Sequence, residues 1–250
     1  IYPITPASPM AENIDMISGS NELNFYNQKV KVVEMQSEAG AIGLVHGSLQ
    51  SGILASTFTA SQGLLLMIPT LYKLAGECLP AVIHVAARSL STHALSIMGD
   101  HQDIYATRQT GVSMLAASSV EQAYHMAMIA HLSAISSSTP FINFFDGFRT
   151  SHEIDKIKLI DLNKLEKLID QKALLKFRQK AMNTDNPTTR GSAENDDVYF
   201  QHTESRNMDY ENTYNNVLKY MNAINKITMN NYQPFNYYGA KKAKYIIIAM

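Results

Sequence analysis

The sequence predicts an α/β protein, an open and mostly parallel sheet with helices on both faces. Over residues 1–149 short apolar runs alternate with longer amphipathic ones, the pattern of a parallel sheet covered by helices. Each helical stretch opens on a capping or small residue. A chain of 250 residues, 46% hydrophobic and 17% charged, can also bury one large core or two small ones.

In chain order, residues 8–18 form the first expected helix, opening on Ser8. The run 31–35, with Val32 and Val33, has strand composition. Ser37 is a helix N-cap before the helix 38–50. A strand at 52–58 leads into a helix at 61–74, and the apolar run 81–87 is the clearest strand of all. A helix opens on Asp100 and runs to 108, a strand follows at 111–116, and a helix at 120–135 leads to the strand 140–145. We take 1–149 as one α/β domain.

From Thr150 the character changes. Charged and amide residues rise, and 183–197 gathers Asn, Asp, Pro, Thr, Gly and Glu with little to bury, as a surface connection does. Val217, Tyr220, Met221, Ile224 and Ile227 then recur at helical spacing. We read 150–243 as a crossover and connecting segment. The chain opens at Ile1 without an initiator Met, and 244–250 ends in an apolar run of strand composition, so that run is expected to start a truncated second domain.

With 21 Lys plus Arg against 22 Asp plus Glu, the net charge of -1 offers no electrostatic footprint for nucleic acid or an anionic membrane. No apolar run has the length to span a bilayer. The single cysteine, Cys78, excludes an internal disulfide and cannot by itself supply an iron-sulfur cluster or a cysteine zinc site. Neither common Gly-rich phosphate loop, no serine nucleophile elbow and no zinc-protease helix is present.

Three segments, Tyr2 to Pro6, Glu34 to Gly40 and Ala86 to Arg88, are expected at the carboxyl ends of strands, where open α/β sheets bind ligands. Glu38 follows the Ser37 cap at a helix mouth of small residues. Helix-end electrostatics favours its charge and burial disfavours it, so it is either a first-turn Glu complementing the helix dipole or a carboxyl held protonated near neutrality. Arg88 ends the strand 81–87, and its fork suits the carboxylate or phosphate of a small anionic substrate, the alternative being a salt bridge to Asp100 or Asp103. Thr5, between Ile4 and Pro6, offers a hydroxyl to a substrate oxygen or serves as a turn residue. Gly99-Asp100-His101-Gln102-Asp103 looks like metal ligands, but it lacks a clear third ligand and Asp at a helix head is ordinary capping, so no metal site is assigned. His84, His93, His125 and His131 are expected to be hydrogen-bonded core or rim residues.

Tyr2-Pro3-Ile4-Thr5-Pro6, Glu34-Met35-Gln36-Ser37-Glu38-Ala39-Gly40, the segment Thr57 to Leu64, Gly99-Asp100-His101-Gln102-Asp103 and the segment Phe144 to Glu153 together resemble the first domain of the pyruvate:ferredoxin (flavodoxin) oxidoreductases. The likeness runs on through Thr189-Arg190-Gly191 and Val198-Tyr199-Phe200-Gln201, which resemble that family's connection into its second domain, so it covers nearly the whole chain.

The resemblance implies a thiamine diphosphate-binding fold in which this chain receives the aminopyrimidine ring. The diphosphate and its Mg²⁺ would be held by a domain outside it, and [4Fe-4S] clusters by further domains. The position matching Glu38 is implied to bond the pyrimidine N1′ and so to be catalytic, and those matching Thr5 and Arg88 to contact pyruvate. The implied reaction is oxidative decarboxylation of pyruvate with coenzyme A to acetyl-CoA and CO₂, electrons passing through the clusters to ferredoxin or flavodoxin. The remaining domains and a second copy in a homodimer complete the implied partners. The implied compartment is the cytoplasm, or a hydrogenosome-like organelle in an anaerobic eukaryote. Two alternatives stay open: a related 2-oxoacid or NADP-linked pyruvate oxidoreductase, and a non-catalytic scaffold of the same fold. Glu38 argues against the scaffold, which has no need of a carboxyl at that mouth.

Overall fold

A computed structural model of the protein describes residues 1–20 and 22–249. Helix α1, Ser8–Gly19, has Pro in its first positions, where the missing N–H removes no helical bond. Helix α2, Glu38–Gln50, is capped as the sequence predicts, the Ser37 Oγ accepting from the Gly40 N–H at 3.2 Å. Strand β1, Ser56–Thr59, leads into α3, Ser61–Gly76, and β2, Val82–Ala87, into α4, Gln102–Thr107. Strand β3, Ser113–Ala117, is followed by α5, Val120–Ser137, which Ser119 caps at 3.2 Å through the Gln122 N–H, and then by β4, Phe141–Asp146.

Among the described residues the sheet has four strands, all parallel, in the order β1-β2-β4-β3. Alternation along β2 and β4 sorts their side chains between two cores. Ile83, Val85, Ala87, Ile142 and Phe144 join Ile42, Leu64, Leu71 and Leu74 of α2 and α3. Val82, Ala86, Phe141 and Phe145 join Ala7, Ile129 and Ala130 on the side of α5. Both faces are therefore covered, which is why β2 is buried along its whole length and reads as a continuous apolar run.

The expected strand at 31–35 does not join the sheet. Among the described residues its backbone is hydrogen-bonded to Ile1, whose N-terminal ammonium donates to the Val33 carbonyl at 2.7 Å and whose carbonyl accepts from Met35 at 2.8 Å. Pro3, two residues on, has no N–H to continue a ladder. The helix expected from Asp100 begins at Gln102, because the Asp100 Oδ1 accepts from the Gln102 N–H at 3.2 Å and turns the chain first.

Beyond β4, the short helices α6, Arg149–His152, α7, Leu162–Glu166, and α8, Gln171–Gln179, precede the irregular stretch anticipated from composition. Helix α9, Asp196–Ser205, then leads to α10, Asn207–Thr228. Leu174 and Phe177 of α8 enter the first core, and Val217, Tyr220, Met221 and Ile224 of α10 enter the second, at the spacing noted in the sequence. Residues 244–249 are exposed and form no strand, since no strand among the described residues lies beside them; Met250 lies outside the described residues. Among the described residues no helix is long and apolar enough to cross a membrane.

Candidate active site

Parallel strands deliver their carboxyl ends to one edge of the sheet, and there β1 hands over to Ser61, β2 to Arg88 and β4 to Gly147. Glu38 is the first residue of α2 and only 6% exposed. Its carboxylate takes no hydrogen bond from another side chain or backbone group among the described residues. It lies against Gly63: a Cβ on that residue would sit 2.6 Å from the Glu38 Oε1, 2.8 Å from its Cγ and 2.5 Å from the Thr59 Oγ1. Glycine here is a matter of space, and it lets a carboxyl and a hydroxyl share one surface of α3. The hydroxyls of Thr57 and Thr59 are buried and have no partner among the described residues, which is costly unless something fills that role.

Arg88 is 5% exposed. Its Nη1 donates to the Thr5 carbonyl at 2.6 Å, and its Nε is buried with no partner among the described residues. Burial pushes the guanidinium pKa down, against the favourable field of Asp103. Neither Asp100 nor Asp103 forms an ion pair with it among the described residues; Asp103 accepts from the Arg88 backbone N–H instead, at 3.1 Å. The salt-bridge alternative thus gives way to a bond on the main chain. Thr5 and Arg88 are brought together, but through the threonine carbonyl, while the Thr5 side chain stands at the exposed surface. Glu38 joins them indirectly, through Gly63 and the start of α3.

Asp103, Gly63 and Thr59 were not singled out as site residues in the sequence, although all three lie inside segments that carry the resemblance. The Asp100 Oδ1 and both Asp103 oxygens accept from backbone N–H groups, and among the described residues no group of three or more His, Cys, Asp or Glu could hold a metal. The His84 Nε2 lies 3.3 Å from the His131 Nε2, and its Nδ1 3.3 Å from the Asn143 amide. Burial, with His131 adding to it, pushes the His84 pKa down to about 3, so its ring is neutral. The His125 Nδ1 pairs with the Tyr232 hydroxyl at 2.8 Å. These three are the core and rim histidines expected, whereas His93 is exposed, its Nδ1 3.3 Å from the hydroxyl of its neighbour Thr92.

Residues 1–222 match the family described as pyruvate flavodoxin/ferredoxin oxidoreductase, thiamine diphosphate-binding. The chain is 55% identical over 250 residues to a pyruvate-flavodoxin oxidoreductase of Enterobacter agglomerans, matching 100% of this chain and 21% of that protein. It is 48% identical over 249 residues to a pyruvate dehydrogenase [NADP(+)] of Cryptosporidium parvum, matching 13% of that protein. The chain thus spans about a fifth of the first of these relatives, and less of the second. A solved 2-oxoglutarate:ferredoxin oxidoreductase from Magnetococcus marinus, with 2-oxoglutarate, coenzyme A and succinyl-CoA bound, shares the fold at a TM-score of 0.60 and 17% identity, over 87% of this chain and 41% of that one.

Proposed function

The chain belongs to the thiamine diphosphate-binding family of pyruvate flavodoxin/ferredoxin oxidoreductases, and from that membership we propose that it is the pyrimidine-receiving part of an enzyme that oxidatively decarboxylates pyruvate. Coenzyme A would accept the acetyl group, and iron-sulfur clusters in other domains would pass electrons to flavodoxin or ferredoxin. A homodimer is the proposed assembly, 1–149 its α/β domain, 150–243 the connecting segment and 244–250 the start of the next domain. A 48% identical relative named as NADP-linked supports a second reading of the acceptor alone, which the residues here do not discriminate.

The observation that carries the proposal is the Glu38 carboxyl, 6% exposed at a helix mouth, which takes no hydrogen bond among the described residues and lies beside the Thr59 hydroxyl, buried and likewise without a partner among them. A polar, partnerless surface of this kind fits a heteroaromatic ring with nitrogen atoms at its edge. Thiamine diphosphate, when bound, supplies a nucleophilic carbon and an electron sink for decarboxylation. Glu38 would exchange a proton with the ring nitrogen N1′, the low exposure of the mouth keeping water from competing for it. Arg88, whose Nε–H has no partner among the described residues beside the Nη1 already given to Thr5, would hold the substrate carboxylate. Thr5 is proposed as the third contact to pyruvate, its hydroxyl free to turn toward the site while its carbonyl steadies Arg88. Among the described residues no group of three or more His, Cys, Asp or Glu could hold Mg²⁺, and we assign the diphosphate and its metal to another domain.

Two experiments test this. Calorimetric titration of the 250-residue chain with thiamine diphosphate and Mg²⁺ is expected to find no submicromolar, magnesium-dependent site; finding one would mean that the diphosphate is held here. In the complete polypeptide Gly63→Ala is expected to push Glu38 or Thr59 from its place, since the new methyl would fall within 2.8 Å of three of their atoms. Displacements of this order at a reacting group cost about 10²-fold in rate. Proton exchange at C2 of the bound cofactor should fall accordingly, and an unchanged exchange rate would remove Glu38 from the role.

A further inference from the structure

One buried carboxylate connects the two halves of this site. Asp103 is 0% exposed. Its Oδ2 accepts from the Ser61 N–H at 2.8 Å and the Arg88 N–H at 3.1 Å, while Oδ1 accepts from its neighbour Ile104 at 2.8 Å. Two of these donors belong to different strand ends, one just past β1 and the other just past β2.

Each donor leads to a residue of the proposed chemistry. Ser61 has a left-handed backbone, φ 49°, which a residue with a Cβ adopts only when its surroundings enforce it. The enforcing contacts are the Asp103 carboxylate on its N–H and the Ser89 carbonyl, which accepts from its hydroxyl at 2.7 Å. That conformation sets the first turn of α3, where Gly63 faces Glu38 and Thr59. On the other side, the grip on the Arg88 N–H fixes the point from which its guanidinium reaches Thr5. A fully buried carboxylate is costly unless its lone pairs are used. Burial pushes the Asp103 pKa up, and the backbone N–H groups it faces pull it back.

We propose that Asp103 is a positioning residue that sets the substrate anchor Arg88 and the Glu38 mouth in register with one another, by holding the backbone at the ends of β1 and β2 with a single carboxylate. This role rests on the reading of Arg88 and Glu38 given above. It predicts that damage at Asp103 is transmitted to both, although Asp103 itself is placed against the backbone and not against the substrate.

The test uses the complete polypeptide carrying Asp103→Asn, alone and with Arg88→Ala. The amide has one acceptor oxygen where three N–H groups converge, so at least one of them loses its partner. Asp103→Asn is expected to lower kcat/KM for pyruvate by at least about tenfold, and the double variant to fall below Arg88→Ala by clearly less than the loss Asp103→Asn causes alone, because one branch of that loss passes through Arg88 and the other, through the Glu38 mouth, remains. In the cofactor-free protein, hydrogen exchange at the Ser61 and Arg88 amides is expected to accelerate together, by at least about tenfold, ahead of the rest of the domain. A merely structural carboxylate would lower the melting temperature and speed exchange broadly without singling out these two. Wild-type kinetics for Asp103→Asn, losses that multiply with Arg88→Ala, or unchanged exchange at the two amides would each overturn the proposal. If Asp103→Asn does not fold, the cofactor-free wild type decides: the two amides should exchange slowly and at a common rate, and separate rates would count against a shared anchor. Wild-type kinetics for Arg88→Ala would instead defeat the substrate-anchor reading, with the amide exchange still deciding Asp103.

Discussion

Glu38→Gln in the complete polypeptide is expected to abolish pyruvate decarboxylation and cofactor C2 proton exchange together, while the fold persists. Glutamine has the shape of glutamate, and the carboxylate it replaces takes no hydrogen bond among the described residues, so little native structure depends on the lost oxygen. The Ser37 cap and the Gly63 contact remain in place. What disappears is a group that can both give and receive a proton at the ring nitrogen. Melting temperature and thiamine diphosphate affinity near those of the wild type, with exchange lost, would mark the change as chemical. Wild-type exchange in the variant would sink the assignment of Glu38.

Arg88→Ala should lose at least about tenfold in kcat/KM for pyruvate. A hydrogen bond to a charged group is worth about 1.5 to 3 kcal/mol, and more when its loss leaves a charge buried alone. Arg88 is buried, so a bound carboxylate would be left without a counter-charge where water does little to replace it. The Thr5 carbonyl loses its donor as well. Arg88→Lys separates the two roles, because an ammonium can reach the carbonyl or the carboxylate but cannot span both with a planar fork. Its activity is expected to stay well below wild type even if the melting temperature recovers. Unchanged kinetics in Arg88→Ala would make the residue purely structural.

Most of the fold was legible because it rests on short-range pattern. The apolar run of β2, the Ser37 and Ser119 caps and the helical spacing of Val217, Tyr220, Met221 and Ile224 each identify an element from its neighbours in sequence. The run 31–35 shows where pattern fails. Its composition is that of a strand, but pairing needs a partner, and Pro3 removes the N–H that would extend the one it has. Residues 244–249 have strand composition too, and they stay unpaired among the described residues.

The sequence by itself therefore determined the α/β class, the order of the sheet's strands along the chain, and Glu38 and Arg88 at the ends of their elements. Only the tertiary structure decided what those residues touch. Asp103 meets a backbone N–H 42 positions away, Arg88 reaches a carbonyl 83 positions away, and Gly63 is where Glu38 comes to rest. The reason is physical. Capping and periodicity act within a few residues, so a single chain displays them directly. Which carboxylate receives which N–H depends on strands laid side by side as β1-β2-β4-β3, an adjacency between segments far apart in the chain. Asp103 read as an ordinary helix-head aspartate because nothing local distinguishes it, and it is the closing of the sheet that turns it toward Ser61 and Arg88.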